Sequence, residues 1–301
     1  RRQRQMCIRD RSISSGYSKA YIQSGNVRNE GIEMALGYSD KWNGFAWDSH
    51  LTLSWNKNKI IKLTEGSINP MTGEPITKDN YDMGQLGNLD ARVKLYKGGS
   101  IGDVYATHRI KRDGNGNVFV SQEGKIEIES VDEFKLGSIL PKTNMGWSNN
   151  FSYKGVNLGM TLTARFGGIA LSGTQSVLDQ YGVSQVTANY RDTGGVPINH
   201  GYVDTEKYFD TVKGYAAYYT YSATNVRLAE LSLSYTLPKE WFRDKLRMTV
   251  GLVGKNLWMI YCKAPFDPEA TASTQSNYYQ SYDYFMQPTT RNLGFSVKLN
   301  F

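Results

Sequence analysis

The side chains best placed to do chemistry in this 301-residue chain are aromatic. Tyr202, Tyr208, Phe209, Tyr215, Tyr218, Tyr219 and Tyr221 crowd one stretch, and Tyr278, Tyr279, Tyr282, Tyr284 and Phe285 crowd another. Aromatic faces pack on the C–H faces of sugars and anchor protein interfaces; they also gather at membrane–water boundaries. Tyr208, Phe209, Tyr215, Tyr218, Tyr219, Tyr278, Tyr279 and Tyr282 are therefore candidates for binding a ligand or a partner. Tyr221 and Phe285, close to a strand, suit the boundary better. Asp204, Asp210, Asp267, Glu269 and Asp283 lie nearby in sequence. They either accept hydrogen bonds from sugar hydroxyls or are solvated loop charges.

Bond-breaking chemistry lacks its parts. His50, His108 and His200 share no metal-ligand spacing, and there is no nucleophile elbow, phosphate loop or dinucleotide motif. Asp113, Asn115 and Asn117 open like a calcium loop. Val118 stands where that loop requires glycine, however, so Asp113 to Asn117 reads as a hairpin turn. Cys7 and Cys262 define neither a disulfide framework nor a zinc site. The expectation is a binding or transport protein without catalysis, metal or cofactor.

Two-faced strands must position the aromatic stretches. In the last eleven residues Leu293, Phe295, Val297, Leu299 and Phe301 alternate with Asn292, Gly294, Ser296, Lys298 and Asn300. At roughly 3.3 Å per residue and ~40° tilt, such a strand spans the ~25 Å apolar band of an outer membrane. The pattern recurs. Phe45, Trp47, Leu51, Leu53 and Trp55 form one apolar row, and Val156, Leu158, Met160, Leu162 and Ala164 form another. Further strands are expected over 27–39, 144–153, 224–237 (with Leu231 and Leu233) and 246–260. Leu51, Leu53, Trp55, Leu158, Met160, Leu162, Leu231, Leu233, Leu293, Phe295, Val297 and Leu299 are expected to face lipid, with Leu53 near the midplane.

Short turns alternate with long connections, about 57–141, 167–222 and 261–288. Compact soluble domains rarely carry such loops, whereas outer-membrane barrels pair short periplasmic turns with long extracellular loops. Seven strands cannot close in lipid, because an open sheet leaves bare edges there. The expected fold is therefore all-β, a transmembrane antiparallel β-barrel of which this chain is a C-terminal fragment. A soluble carbohydrate-binding β-sandwich is the competing architecture.

The formal net charge is +7, but the first eleven residues carry +4 of it, leaving +3 elsewhere. That location argues against nucleic acid as a partner. Residues 1–12 show no periodicity and read as a non-native, adaptor-like segment, with 13–301 as the barrel portion. No run approaches the ~20 apolar residues of a membrane helix, and mean hydropathy is −0.50.

Several stretches resemble one family, the SusC/RagA-like TonB-dependent outer-membrane transporters. They are G-N-V-R-N-E-G-I-E from Gly25, W-N-K-N-K-I from Trp55, L-G-S-I-L-P-K-T-N-M-G-W-S-N-N-F-S-Y-K-G-V-N-L from Leu136, R-L-A-E-L-S-L-S-Y-T-L-P from Arg227, and G-K-N-L-W from Gly254 with Phe266-Asp267-Pro268-Glu269. They follow the family's order. The resemblance implies the C-terminal third of a 22-strand barrel in the outer membrane of a Gram-negative bacterium. It implies uptake of an oligosaccharide or peptide beneath a SusD-like surface lipoprotein, powered by the TonB complex through an N-terminal part. Outer-membrane lipid and the barrel-assembly machinery, which reads a terminal aromatic such as Phe301, would be further partners. Other barrels, a siderophore receptor or a porin, remain alternatives.

Overall fold

The computed structural model describes residues 2–3, 6–10, 19–23, 25–68, 73–76, 78–121, 126–198, 201–243, 245–270 and 277–300. Side chains are described from residue 25 onward, apart from 277 and 278. His200 and Phe301 lie outside the described residues.

Seven long strands pair consecutively and antiparallel into one wall. They are β1 (Asn26–Trp42), β2 (Phe45–Lys62), β3 (Thr143–Tyr153), β4 (Val156–Phe166), β5 (Asn225–Thr236), β6 (Arg247–Cys262) and β7 (Asn292–Asn300). Arg2–Gln3 adds a two-residue strand on the edge of β1, and Met6–Asp10 pairs with Lys19–Gln23. Two of the three short turns use left-handed backbone at both central residues, Asn43-Gly44 (φ 47° and 80°) and Lys154-Gly155 (φ 45° and 85°). Positive φ at both positions matches the twist of two-residue hairpins, which fixes the register of both strand pairs. Among the described residues, no helix is long and apolar enough to cross a membrane.

Register carries one apolar face across all seven strands. One row reads Trp47, Phe151, Leu158, Leu233, Leu252 and Phe295; the next but one reads Leu36, Leu51, Trp147, Leu162 and Leu228. A bulge between Leu228 and Glu230 absorbs one residue and keeps both strands facing alike. All twelve residues expected to face lipid fall on this face. No described residue covers it: Leu293 is 84% exposed, Phe295 70% and Leu252 61%. A sandwich would bury such a face under a second sheet.

The long connections are themselves folded. Strand β2 continues through Lys62, past the boundary expected at 57. Beyond it, Asn80–Gln85, Arg92–Tyr96, Asp103–Ile110 and Ile128–Ser138 form a four-stranded antiparallel sheet. The second connection holds three eight-residue helices, α1 (Gly173–Gln180), α2 (Gln185–Asp192) and α3 (Thr205–Val212). Ser172, Ser184 and Asp204 cap their N-termini by accepting hydrogen bonds from the first-turn amides. All three connections fold together. Ile169–Ser172 of the second pairs in parallel with Tyr282–Asp283 of the third. Leu89, Val93 and Val104 of the first pack with Leu171, Tyr219 and Tyr282. A second cluster joins Val27 and Ile60 of the wall to Leu63 and Leu95 of this cap.

Candidate functional site

Opposite the apolar face, the wall presents small and polar side chains. His50, Ser148, Thr161 and Glu230 form one row, and Asp48, Asn150, Gly159 and Ser232 another. A Cβ at Gly159 would sit 2.5 Å from Ser232 Oγ, and one at Gly146 2.9 Å from Thr52 Oγ1. Crowding on this side is what inward curvature produces, and glycine permits it. The result is a polar, hydrogen-bonding surface suited to lining a water-filled passage.

Aromatic rows mark the limits of the apolar face. Trp42, Phe45, Tyr153 and Tyr235 share the row at the short-turn end. Trp55 lies at the other end, opposite Ile32. Ten residues separate Phe45 from Trp55, ~33 Å along the strand and ~25 Å after a 40° tilt, the height of an outer-membrane apolar band. Leu53 is therefore only one row below the upper boundary. Its expected midplane position is corrected: Leu51 is nearer the middle.

The aromatic candidates divide by burial. Tyr208 is 1% exposed, Phe209 0%, Tyr219 0% and Tyr282 2%. These four are corrected from binding candidates to cap core, because their rings pack on one another and on Tyr218, Val118 and Val212 or on Leu171. Tyr215 and Tyr218 are half-buried against the same clusters. Tyr279 packs on Tyr282 and donates its hydroxyl to Gln85 O at 3.3 Å. The side chain of Tyr278 is outside the described residues. Burial pushes the Tyr218 and Tyr219 hydroxyls far up, and the Tyr221 hydroxyl to about 12, so all three stay protonated.

Different aromatic residues face outward. Tyr181 is 72% exposed and Tyr202 63%. Tyr181 rims a cavity of about 400 Å³ with Asp179, Gly182, Arg191, Asp204 and Glu206. Burial raises the Asp179 carboxyl above the usual range against hydrogen bonds that lower it. Tyr181 follows a helix end, a placement that only the caps at Ser172 and Ser184 signal in sequence.

Tyr282 clasps the cap. Its hydroxyl donates to Asn88 Oδ1 at 2.6 Å and accepts from Asn88 N at 3.1 Å. A Cβ at either Gly87 or Gly173 would overlap that hydroxyl, so only glycine fits on either side. The neighbouring Asp283 accepts from Ser172 Oγ at 2.8 Å. A second tie holds the cap to the wall. Buried Arg227 on β5 binds Asp267 Oδ1 at 2.7 Å and Glu269 Oε2 at 3.3 Å. Burial pushes the Asp267 carboxyl up, but the Arg227 hydrogen bond and the Glu269 amide hold it below its ordinary value.

Asp113 does form a turn, its Oδ1 accepting from Asn115 N and Asn117 N. His50 lies on the polar face, and His108 Nδ1 lies 3.1 Å from Asp90 Oδ2. Among the described residues, no group of three or more His, Cys, Asp or Glu is placed to hold a metal ion.

No family model matches the chain. It is 26% identical to TonB-dependent receptor P3 of Formosa agariphila over 95% of its own length, covering 30% of that receptor. It is 22% identical to TonB-dependent receptor SusC of Bacteroides thetaiotaomicron, over 85% of this chain and 25% of SusC. The structure of the RagAB peptide importer in its open-open state superposes on 99% of the chain with a TM-score of 0.66, at 16% identity. In sequence the chain is thus similar to TonB-dependent receptors, and in fold to the RagAB importer. The closed-closed RagAB structure covers 96% with a TM-score of 0.63. Each superposition uses 31% of the RagAB chain, so this chain spans under a third of the proteins it matches.

Proposed function

We propose that the chain forms wall, passage lining and outer cap of a TonB-dependent outer-membrane importer for oligosaccharides or peptides. The observation that carries this reading is the single wall with an uncovered apolar face, ~25 Å between aromatic rows, backed by small polar residues. Similarity to TonB-dependent receptors over 95% of the chain supports it. The free edge of β7 and the part of the β1 edge beyond Arg2–Gln3 would pair with further strands of the same barrel, since unpaired backbone is not tolerated in lipid.

In this reading the short turns lie in the periplasm and the folded connections form one extracellular cap. A SusD-like lipoprotein would dock on that cap, with exposed Tyr181 and Tyr202 among the residues offered to it. Energy would come from the TonB complex through a plug outside these residues, and Phe301 would serve the assembly machinery. No bond of the nutrient is broken; the work is selective binding and gated passage.

Uptake tests this. Cells expressing the intact protein are given labelled oligosaccharides and peptides with TonB present or deleted. Uptake of one class that stops without TonB is expected. Passage that persists without TonB would place the chain among porins instead.

A further inference from the structure

Above the aromatic row at Ile32 and Trp55, the outward face of β1 and β2 changes from apolar to basic. Pairing in this segment runs without a bulge from Val27–Ile60 to Trp42–Phe45, so facing can be counted directly. Glu30 and Lys57 lie one row above Ile32 and Trp55, and Arg28 and Lys59 two rows above. All four are exposed. Their neighbours Val27 and Ile60 point the other way, buried into the cap.

Two features leave this patch open to an external partner. Arg28 and Lys59 stand directly opposite each other, and like charges so placed repel. Glu30 is engaged by Arg28, while the side chains of Lys57 and Lys59 have no ion pair or hydrogen bond among the described residues. Two adjacent residues on a strand face are ~7 Å apart. Three cations therefore converge within the reach of one multivalent anion, with one carboxylate already used. Directly beneath lie the Trp55 indole and then Met34 and Leu53, a surface for acyl chain.

We propose that Arg28, Lys57 and Lys59 form a binding site for the phosphate groups of a phosphorylated glycolipid of the outer leaflet. The acyl chains would run down the Trp55, Leu53 and Met34 surface. Charge-assisted contacts to phosphate suit these side chains, and the height of the patch is that of headgroups immediately above the apolar band. The inference rests on the outer-membrane reading above.

The test takes the intact protein carrying this chain, in detergent, with Arg28→Gln, Lys57→Gln and Lys59→Gln combined. A control combines Lys97→Gln and Lys111→Gln in the cap. Native mass spectrometry follows titration with diphosphorylated lipid A, with the same lipid dephosphorylated, and with inorganic phosphate as competitor. Preference for the phosphorylated lipid, weakened roughly fivefold for each cation removed and unchanged in the control, is expected. Should the triple variant fail to assemble, Lys59→Gln alone gives the same reading. Equal binding of both lipids, or an unchanged variant, overturns the site but leaves the membrane reading standing. Inorganic phosphate binding as tightly as the lipid overturns the lipid assignment. Uptake of neither lipid by a protein that is soluble without detergent would overturn both.

Discussion

Trp47 donates its indole N–H to Asn149 Oδ1 at 3.1 Å, on the apolar face of the wall. Trp147 does the same to Ser49 Oγ at 3.0 Å, and Ser49 pairs directly with Asn149 across β2 and β3. Two polar residues on this face thus satisfy both indole N–H groups. Asn149, which serves Trp47, is 1% exposed.

Removing that acceptor leaves a buried N–H unpaired. Asn149→Ala is expected to destabilise the folded wall by about 1–3 kcal/mol. Reversible urea unfolding in lipid vesicles, followed by tryptophan emission, measures it. An unchanged midpoint would mean that Trp47 finds another acceptor.

Depth sets the penalty for charge on the same face. Leu51→Arg should cost about 2–4 kcal/mol, and Leu53→Arg, one row from Trp55, about 0–1 kcal/mol. Thr52→Arg, between them on the polar face, should fold normally. Ranking the three variants by unfolding in vesicles decides the matter; equal costs would contradict the facing.

Arg227 neutralises two carboxylates as it ties the third connection to β5. Arg227→Met should cost about 3–5 kcal/mol, because Asp267 would remain buried and uncompensated. The pH dependence has a definite sign. Asp267 titrates below its ordinary value when folded, so its contribution is complete above the unfolded value of ~3.9 and vanishes as pH falls through the folded one. Amide hydrogen exchange over residues 263–268, corrected for intrinsic exchange rates, should therefore speed up only below pH ~4. Faster exchange already at pH 6 would assign the tie to other groups.

The clasp at Tyr282 makes a contrast between variants. Tyr282→Phe loses hydrogen bonds to Asn88 worth about 1 kcal/mol and should keep the cap folded. Gly173→Ala places a methyl on the hydroxyl and should open the cap to protease. Gly87→Ala adds left-handed strain, with φ at 58°. Equal protease resistance in Gly173→Ala and the unaltered protein would contradict the cradle.

The wall was legible because its strands are long and have two distinct faces. Leu293 to Leu299 alternates with no tertiary context needed, and Lys154-Gly155 announces its turn. The cap was not legible, because its strands are short and their covering comes from far away. Val93 and Val104 are buried by Leu171 and Tyr282, residues in other connections. The same distance effect misled the reading of the tyrosines. Tyr208 and Tyr219 look like surface aromatics in a loop until the helices around them close. Capping residues Ser172, Ser184 and Asp204 were the available local signal, but helices of eight residues give too little periodicity to support it. The tie from Arg227 to Asp267 joins two stretches that sequence could only place in order.

In the proposed function this wall stands in a membrane with one face to lipid and one to water. Single cysteines from 293 to 299 on β7, in a background with Cys7→Ser and Cys262→Ser, would carry an environment-sensitive fluorophore in reconstituted vesicles. Quenching by brominated lipid at 293, 295, 297 and 299, and by aqueous iodide at 294, 296 and 298, is the predicted alternation. Iodide reaching every position equally, with no lipid quenching at any, would contradict it.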